Sequence, residues 1–451
     1  MKIPFDQIIA TAFLALTVFT ALAHGVVEPW SELIFVVSVG GLCLLWAFKA
    51  IQDKKLSVFV PANLWPLAGL IILGLAQSLI FPTSNGSIFS FSLDVEASRG
   101  TTLLLVCLLL TSLLASNFLT HRQRLQTMMQ FLTIFGLVLA TFSLVQHFTW
   151  NEKFYWMRPV YQAQSSFGPF VNRNHFAGYM ELLLPWPVAL MLTRQRSLAE
   201  KSFYLFITAW IALVAVFSLS RGGMISIFAQ LVFLMIFRPR QFDAREAAAP
   251  SRMAMLVQRG AAAALVLIIV FGGLMWLGAE RVVDRVAAGL DTGKASASSV
   301  SDQSDYGGRD TLWKSSLKIF QAHPITGAGL GSFETALPIY EQSKNMGLVV
   351  SQAHNDYLQM LTDAGLIGGL LAIWFLLATG RAVIKGLQVN EPLMSHAALG
   401  CGASLLGLLV HSLFDFNLQL LSHSLLFLSF AAIAAQLSEL AKLITLSRVR
   451  G

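Results

Sequence analysis

Two short clusters at the ends of one polar stretch hold the residue types that acid–base and phosphate chemistry need. Arg309 stands after Tyr306-Gly307-Gly308 and before Asp310-Thr311-Leu312-Trp313, while His354 stands in Gln352-Ala353-His354-Asn355-Asp356-Tyr357. A guanidinium holds phosphate oxygens through paired hydrogen bonds, and a helix N-terminus at Arg309 adds free N–H groups and a favourable dipole. An imidazole titrates near neutrality, so His354 can take the proton of an attacking hydroxyl. Each residue also has a plainer role. Arg309 can pair with lipid headgroups or with Asp310, and Asn355 and Asp356 can cap the helix that follows. Asp356 stands two residues from His354, so on a helix it does not face the imidazole.

Three further clusters carry charge where the chain is otherwise apolar. Arg221 lies in Ser218-Leu219-Ser220-Arg221-Gly222-Gly223, a connection too short to leave a membrane surface. A charge held there pairs, lines a wet cavity, or snorkels to the interface. The stretch Gly168-Pro169-Phe170-Val171-Asn172-Arg173-Asn174-His175 leads into an apolar run with Glu181 one to two turns deeper. Asn172 and Asn174 suit helix capping, Arg173 and His175 share one compartment, and Glu181 is either functional or bonded to a neighbouring helix. His411, Asp415, Asn417 and His423 gather around the last turn. His411 and Asp415, at i and i+4, can face a metal together, and a capped polar hairpin accounts for them equally. The run Gly327-Ala328-Gly329-Leu330-Gly331 lacks the lysine and the strand of a phosphate loop and reads as a turn between two helices.

The elements that must position these residues are membrane helices. Of 451 residues 55% are hydrophobic and 12% charged, with a mean hydropathy of +0.66. A soluble protein carries about 25% charged residues. At roughly 20 apolar residues per crossing, the chain offers about twelve spans. They lie near 7–23, 32–48, 64–81, 101–119, 128–149, 175–193, 202–219, 222–237, 260–278, 364–380, 394–413 and 419–440. The net charge of +7 sits mostly in short loops such as those holding Arg122 and Arg124, Arg194 and Arg196, and Arg238 and Arg240. That placement fits membrane orientation rather than nucleic acid, and it puts both termini in the cytoplasm and the long 279–354 stretch outside. Residues 1–278 then form spans one to nine, 279–354 an outer catalytic loop, and 355–451 spans ten to twelve with a short tail. The first segment, with Ala21-Leu22-Ala23 near its end, resembles a signal peptide, but Asp6 and the length of the run fit an uncleaved anchor.

Finer features follow from composition and period. Residues 241–259 read as a cytoplasmic linker and 288–305 as a mobile part of the outer loop. From Arg309 to Ala322 the apolar residues recur at helical spacing, which predicts an amphipathic helix on the membrane surface, stopped by His323-Pro324. A second helix is expected from Ser332 towards Glu341. Cys43, Cys107 and Cys401 all fall in apolar runs, with no disulfide or zinc spacing.

Together these patches resemble the superfamily of O-antigen ligases and O-antigen polymerases, bacterial membrane glycosyltransferases. The matching residues are Gly168 to His175, Ser220-Arg221-Gly222, Gly308-Arg309-Asp310 with Trp313, Pro324 to Phe333, His354-Asn355-Asp356-Tyr357-Leu358 and Asp415-Phe416-Asn417. The resemblance implies an all-α, GT-C-like fold of about twelve spans in the inner membrane, with its active site facing the periplasm. It implies a donor glycan on undecaprenyl diphosphate and no cofactor. Its acceptor is the lipid A core, another lipid-linked glycan, or a protein side chain. His354 and Arg309 are then the catalytic residues, and Arg221, Arg309 and Arg173 the diphosphate ligands. Asn172, Asn174, His175, Glu181, Asn355, Asp356 and Asp415 support them. Direct displacement without a metal ion would invert the anomeric carbon. A transporter or flippase is the alternative from another class, although transporters place their polar sites at mid-membrane.

Overall fold

The computed structural model describes residues 3–82, 88–159, 166–193, 196–237, 239, 309–341 and 350–450. The expected linker at 241–259, the expected span at 260–278 and the stretch 288–305 lie outside the described residues. The protein is an all-α polytopic membrane protein, and the helices fall where the apolar runs predict. They are α1 (Phe5–Leu22), α2 (Pro29–Asp53), α3 (Trp65–Gln77), α4 (Val95–Phe118), α5 (Arg122–Phe148), α6 (Arg173–Leu183), α7 (Pro185–Leu192), α8 (Leu198–Phe217) and α9 (Arg221–Ile236). After the undescribed stretch come α10 (Arg309–Ala322), α11 (Phe333–Tyr340), α12 (Asp356–Leu387), α13 (Pro392–His411) and α14 (Leu421–Arg450). Two short hairpins, Ile80–Pro82 with Ile88–Ser90 and Lys153–Phe154 with Arg158–Pro159, are the paired strands named among the described residues.

Among the described residues, 8 helices are long and apolar enough to cross a membrane. Two shorter apolar helices, Ala62–Gln77 and Arg221–Ile236, occupy the third and eighth expected spans. The sixth is divided into α6 and α7. Pro185 has no N–H to give the Glu181 carbonyl four residues back, so the ladder is interrupted there. Gln230 of α9 takes over, its Nε2 donating to the Glu181 carbonyl at 2.7 Å and to the Ala403 carbonyl at 3.1 Å.

The chain divides into two compact units. One comprises Met1–Arg124, Ser304–Ile384 and Ser412–Gly451; the other comprises Leu125–Gln303 and Lys385–His411. In the first, α14 lies along α4, and Asn63 ties the turn before α3 to Thr379 at 3.0 Å and to the Ala431 carbonyl at 2.9 Å. In the second, α13 packs on α6, α7 and α9, with Trp186 against the bare face of Gly400.

Residues 309–341, the segment expected to lie outside, are built onto the first unit by their backbone. In α12 the ladder breaks at Gly365, whose φ of 60° and ψ of −155° lie in a region open essentially only to glycine. The turn after α10 fills the break. The N–H groups of Leu366 and Ile367 donate to the carbonyls of Pro324 and Ile325, at 2.8 and 3.2 Å. In return Ala328 and Gly329 donate to the carbonyls of Thr362 and Asp363, at 2.7 and 3.1 Å. Four groups orphaned by the kink are thereby satisfied, which a membrane helix requires. A Cβ on Gly327 would lie 2.3 Å from the Asp363 carbonyl carbon, so the close approach needs glycine there too. The glycine run is therefore a docking turn between two helices.

The helices of this segment have the predicted bounds, α10 stopping at Ala322 and α11 running from Phe333 to Tyr340. The apolar stripe of α10 differs from the expectation in what it touches. Leu312 and Ile319 are buried with Phe333, Ala336, Leu337 and Ala353 in a small protein core, and Leu317 is exposed. The stripe is covered by α11 and by Val350 and Ala353 of the irregular segment before α12.

Candidate active site

His354 is placed by the break between the outer segment and α12. It has a φ of 51°, left-handed for a residue with a Cβ, and such outliers persist only where the surroundings hold them. Three contacts hold it. Asn355 caps α12, its Oδ1 accepting from the N–H groups of Tyr357 and Leu358 at 3.0 and 3.1 Å, while its Nδ2 donates to the Leu413 carbonyl at 3.1 Å. Gln359 Oε1 accepts from the Ala353 N–H at 2.7 Å. The imidazole itself meets Asp415, with Nδ1 3.2 Å from Oδ1, and stands edge-on to the Phe416 ring, centroids 4.8 Å apart. The His354 side chain is 19% exposed and that of Asp415 fully buried.

Asp356 proves to be a clamp. Its Oδ2 accepts from Ser412 Oγ at 2.7 Å and from the Leu418 N–H at 3.0 Å, and its own N–H donates to the Ser412 carbonyl at 3.0 Å. It thus fastens the start of α12 to the hairpin that carries Asp415. The structure brings His354, Asn355, Asp356 and Asp415 together in one unit. Arg309 opens α10 in that unit, though its side chain and that of Asp310 lie outside the described part. The partner of His354 was not apparent in the sequence, because Asp415 lies 61 residues away and only the fold joins them.

A hydroxyl network steadies the outer helices around this site. Asp94 caps α4, accepting from the Ala97 N–H at 2.9 Å and from Thr335 Oγ1 of α11 at 2.8 Å. Those two donors, the backbone N–H first, hold its carboxyl below the usual range. Ser98 Oγ donates to the Leu330 carbonyl at 3.0 Å, and Gln77 bonds both Leu330 and Thr326.

The other unit holds the remaining candidates. Gly168 adopts a φ of 55° and passes close to Ser143 of α5, setting the turn from which Asn172 caps α6 through the Asn174 N–H at 2.8 Å. Arg173, the first residue of α6, is partly exposed, and His175 is buried. Glu181 does bond a neighbouring helix: its Oε1 is 2.8 Å from His411 Nδ1 at the end of α13. Arg221 is exposed at the first position of α9, and Ser220 caps that helix through the Gly223 N–H at 3.1 Å. His411 and Asp415, read together in sequence as a possible metal face, bond two different side chains. Among the described residues no three His, Cys, Asp or Glu are grouped to hold a metal ion.

A partly exposed imidazole with a buried carboxylate at Nδ1 has the geometry that general-base chemistry uses, since the carboxylate sets the ring tautomer and leaves the other nitrogen for a proton. Residues 206–373 match the family model described as O-Antigen ligase, a stretch that includes Arg221, Arg309, His354, Asn355 and Asp356. No curated protein matches the chain. Over residues 206–373 this multi-pass membrane protein is therefore similar to the O-antigen ligase family, a likeness that supports a glycosyltransferase of the ligase or polymerase kind.

Proposed function

We propose that the protein transfers a glycan en bloc from undecaprenyl diphosphate to a hydroxyl of the lipid A core, at the periplasmic face of the bacterial inner membrane. The observation that carries this reading is the His354–Asp415 pair, a partly exposed imidazole steered by a buried carboxylate. With Nδ1–H donating to Asp415, Nε2 accepts the proton of the acceptor hydroxyl as its oxygen attacks the anomeric carbon. The bond from that carbon to the diphosphate oxygen breaks on the opposite face. Its electron pair leaves with undecaprenyl diphosphate, and the configuration is inverted. Arg309, Arg221 and Arg173 are assigned to the diphosphate charge, the role a metal ion takes elsewhere. Asn172, Asn174 and His175 shape the start of α6 around Arg173. The short basic loops support the periplasmic placement of residues 279–354.

The test is transfer by the purified full chain in proteoliposomes, with an undecaprenyl-diphosphate-linked glycan as donor and lipid A core as acceptor, in excess chelator. Transfer is expected. Loss on chelation with recovery on magnesium would overturn the arginine assignment, and movement of the donor across the bilayer without transfer would favour a flippase. Donor extension by a second lipid-linked glycan, with none reaching the core, would make the enzyme a polymerase that uses the same base. Transfer to a protein hydroxyl instead would make it a protein glycosyltransferase.

A further inference from the structure

The second histidine–carboxylate pair takes no part in the reaction above. Glu181 on α6 is fully buried and His411, the last residue of α13, is 1% exposed. Beyond the 2.8 Å contact with Glu181, the other ring nitrogen of His411 lies 3.4 Å from Ser220 Oγ. Ser220 is also 1% exposed, and it caps α9. One direction of donation satisfies the whole series. The Gly223 N–H donates to Ser220 Oγ, the Ser220 hydroxyl to His411 Nε2, and His411 Nδ1–H to Glu181 Oε1. The next residue along, Arg221, is exposed.

Two backbone features show that this corner is held in place. Leu219 has a φ of 58°, a left-handed conformation that a leucine adopts only under constraint. A Cβ on Gly223 would lie 2.8 Å from the Ala177 Cβ, so α9 begins hard against α6, one turn before Glu181 on the same face. An acid and a histidine buried in a membrane protein are costly unless they serve a purpose.

We infer that Glu181, His411 and Ser220 form a positioning chain that fixes the first turn of α9 and thereby aims the Arg221 guanidinium at the diphosphate of the lipid-linked donor. The inference rests on the reading of Arg221 as a diphosphate ligand. All three residues are buried, so they act through Arg221 and none touches the substrate. A purely structural role would move stability alone, whereas a positioning role moves diphosphate affinity and does so only while Arg221 is present.

The experiment measures binding of undecaprenyl diphosphate to the full chain in nanodiscs, for wild type, Arg221→Ala, Ser220→Ala, Ser220→Thr, Glu181→Gln and the double variant Ser220→Ala/Arg221→Ala. Arg221→Ala should weaken binding about 10–100-fold, the loss of a charge-assisted contact. Ser220→Ala and Glu181→Gln should weaken it about 3–10-fold, the scale of a lost cap. Ser220→Thr, which keeps the hydroxyl, should bind as wild type, and the double variant no worse than Arg221→Ala. Additive losses in the double variant, or wild-type affinity in both Ser220→Ala and Glu181→Gln, would overturn the positioning chain and leave Arg221 as a ligand. Wild-type affinity in Arg221→Ala would overturn the ligand reading and the chain with it. Should Ser220→Ala not fold, the same cycle run with Glu181→Gln decides the matter.

Discussion

The two compact units each contain a histidine bonded through Nδ1 to a carboxylate, and the pairs differ in what surrounds them. His354 is 19% exposed against a buried Asp415, whereas His411 and Glu181 are 1% and 0% exposed. An imidazole that touches solvent can exchange a proton with a substrate; one sealed in a helix bundle can only hold its neighbours. The helix breaks beside the pairs differ in the same sense. In α12 the orphaned groups are satisfied by backbone from the outer segment, while at Pro185 a single side chain, Gln230, does so. The first arrangement fastens the turn after α10 to a span, and the second ties α9 to α6 and α13. Two histidine–carboxylate pairs of like chemistry thus differ in what burial leaves them free to do.

The comparison is broken or sharpened by substitutions on either side of it. Replacing His354 by Ala should lower the transfer rate about 10²–10⁴-fold, the usual cost of losing a positioned base. Initial rates in proteoliposomes measure it, and a near-normal rate in a correctly inserted protein would end the assignment. The stability loss of His354→Ala should be smaller than that of His411→Ala, because the His354 imidazole is partly exposed and Asp415 keeps the Phe416 N–H at 2.9 Å. His354→Gly should be equally inactive yet about 1 kcal/mol more stable than His354→Ala, because glycine removes the penalty of the positive φ.

His411→Ala should show the opposite balance. It leaves Glu181 buried without its imidazole, and breaking a buried pair from one side costs about 3–5 kcal/mol. Thermal unfolding in detergent reads this, and a stability loss no larger than that of His354→Ala would erase the distinction between the pairs. Gly365→Ala tests the docking of the outer segment. A Cβ there would meet the Gly327 nitrogen and the Ile325 oxygen at 2.5 Å. The cost, about 2 kcal/mol or more given the backbone region, should appear as faster proteolysis between α10 and α12; unchanged cleavage would contradict it.

The smallest effect belongs to the anchor at Asp94. Asp94→Ala removes a helix cap and should cost about 1 kcal/mol in chemical denaturation. The carboxyl is held low in the folded protein, so its ionised form stabilises the fold above the unfolded value of about 3.9. That contribution fades as pH falls through the lower folded value. The stability gap between wild type and Asp94→Asn should therefore narrow on acidification below about pH 4, and a gap that widens would reverse the sign.

Much of the architecture was legible from residue pattern. Apolar runs of bilayer length placed the spans, His323-Pro324 ended α10, and Asn172 and Asn355 announced helix starts, whereas the break at Pro185 and the Ser220 cap emerged only in the structure. These signals are local: a cap, a ring without an N–H or a 3.6-residue period acts within a turn or two. Candidate residues were legible for the same reason, since a charge amid apolar sequence is conspicuous wherever it lies. Local pattern also has limits inside one element, as the stripe of α10 shows: its period predicted a buried face but not that α11 would cover it.

The chemical pairing was decided by tertiary structure. Asp356 stood beside His354 in the chain, yet the imidazole took Asp415, 61 residues on, and Asp356 became a clamp on the hairpin that presents it. Glu181 found His411 at a separation of 230 residues. Gly365 gave no sign of a kink until the turn at Gly327 was laid against it. Sequence alone determined which residue types the membrane would carry and which helices would bear them. The partner of each buried polar group was decided only in the fold, because excluding water forces such groups to pair, and the available partner is whichever side chain packing brings within about 3 Å.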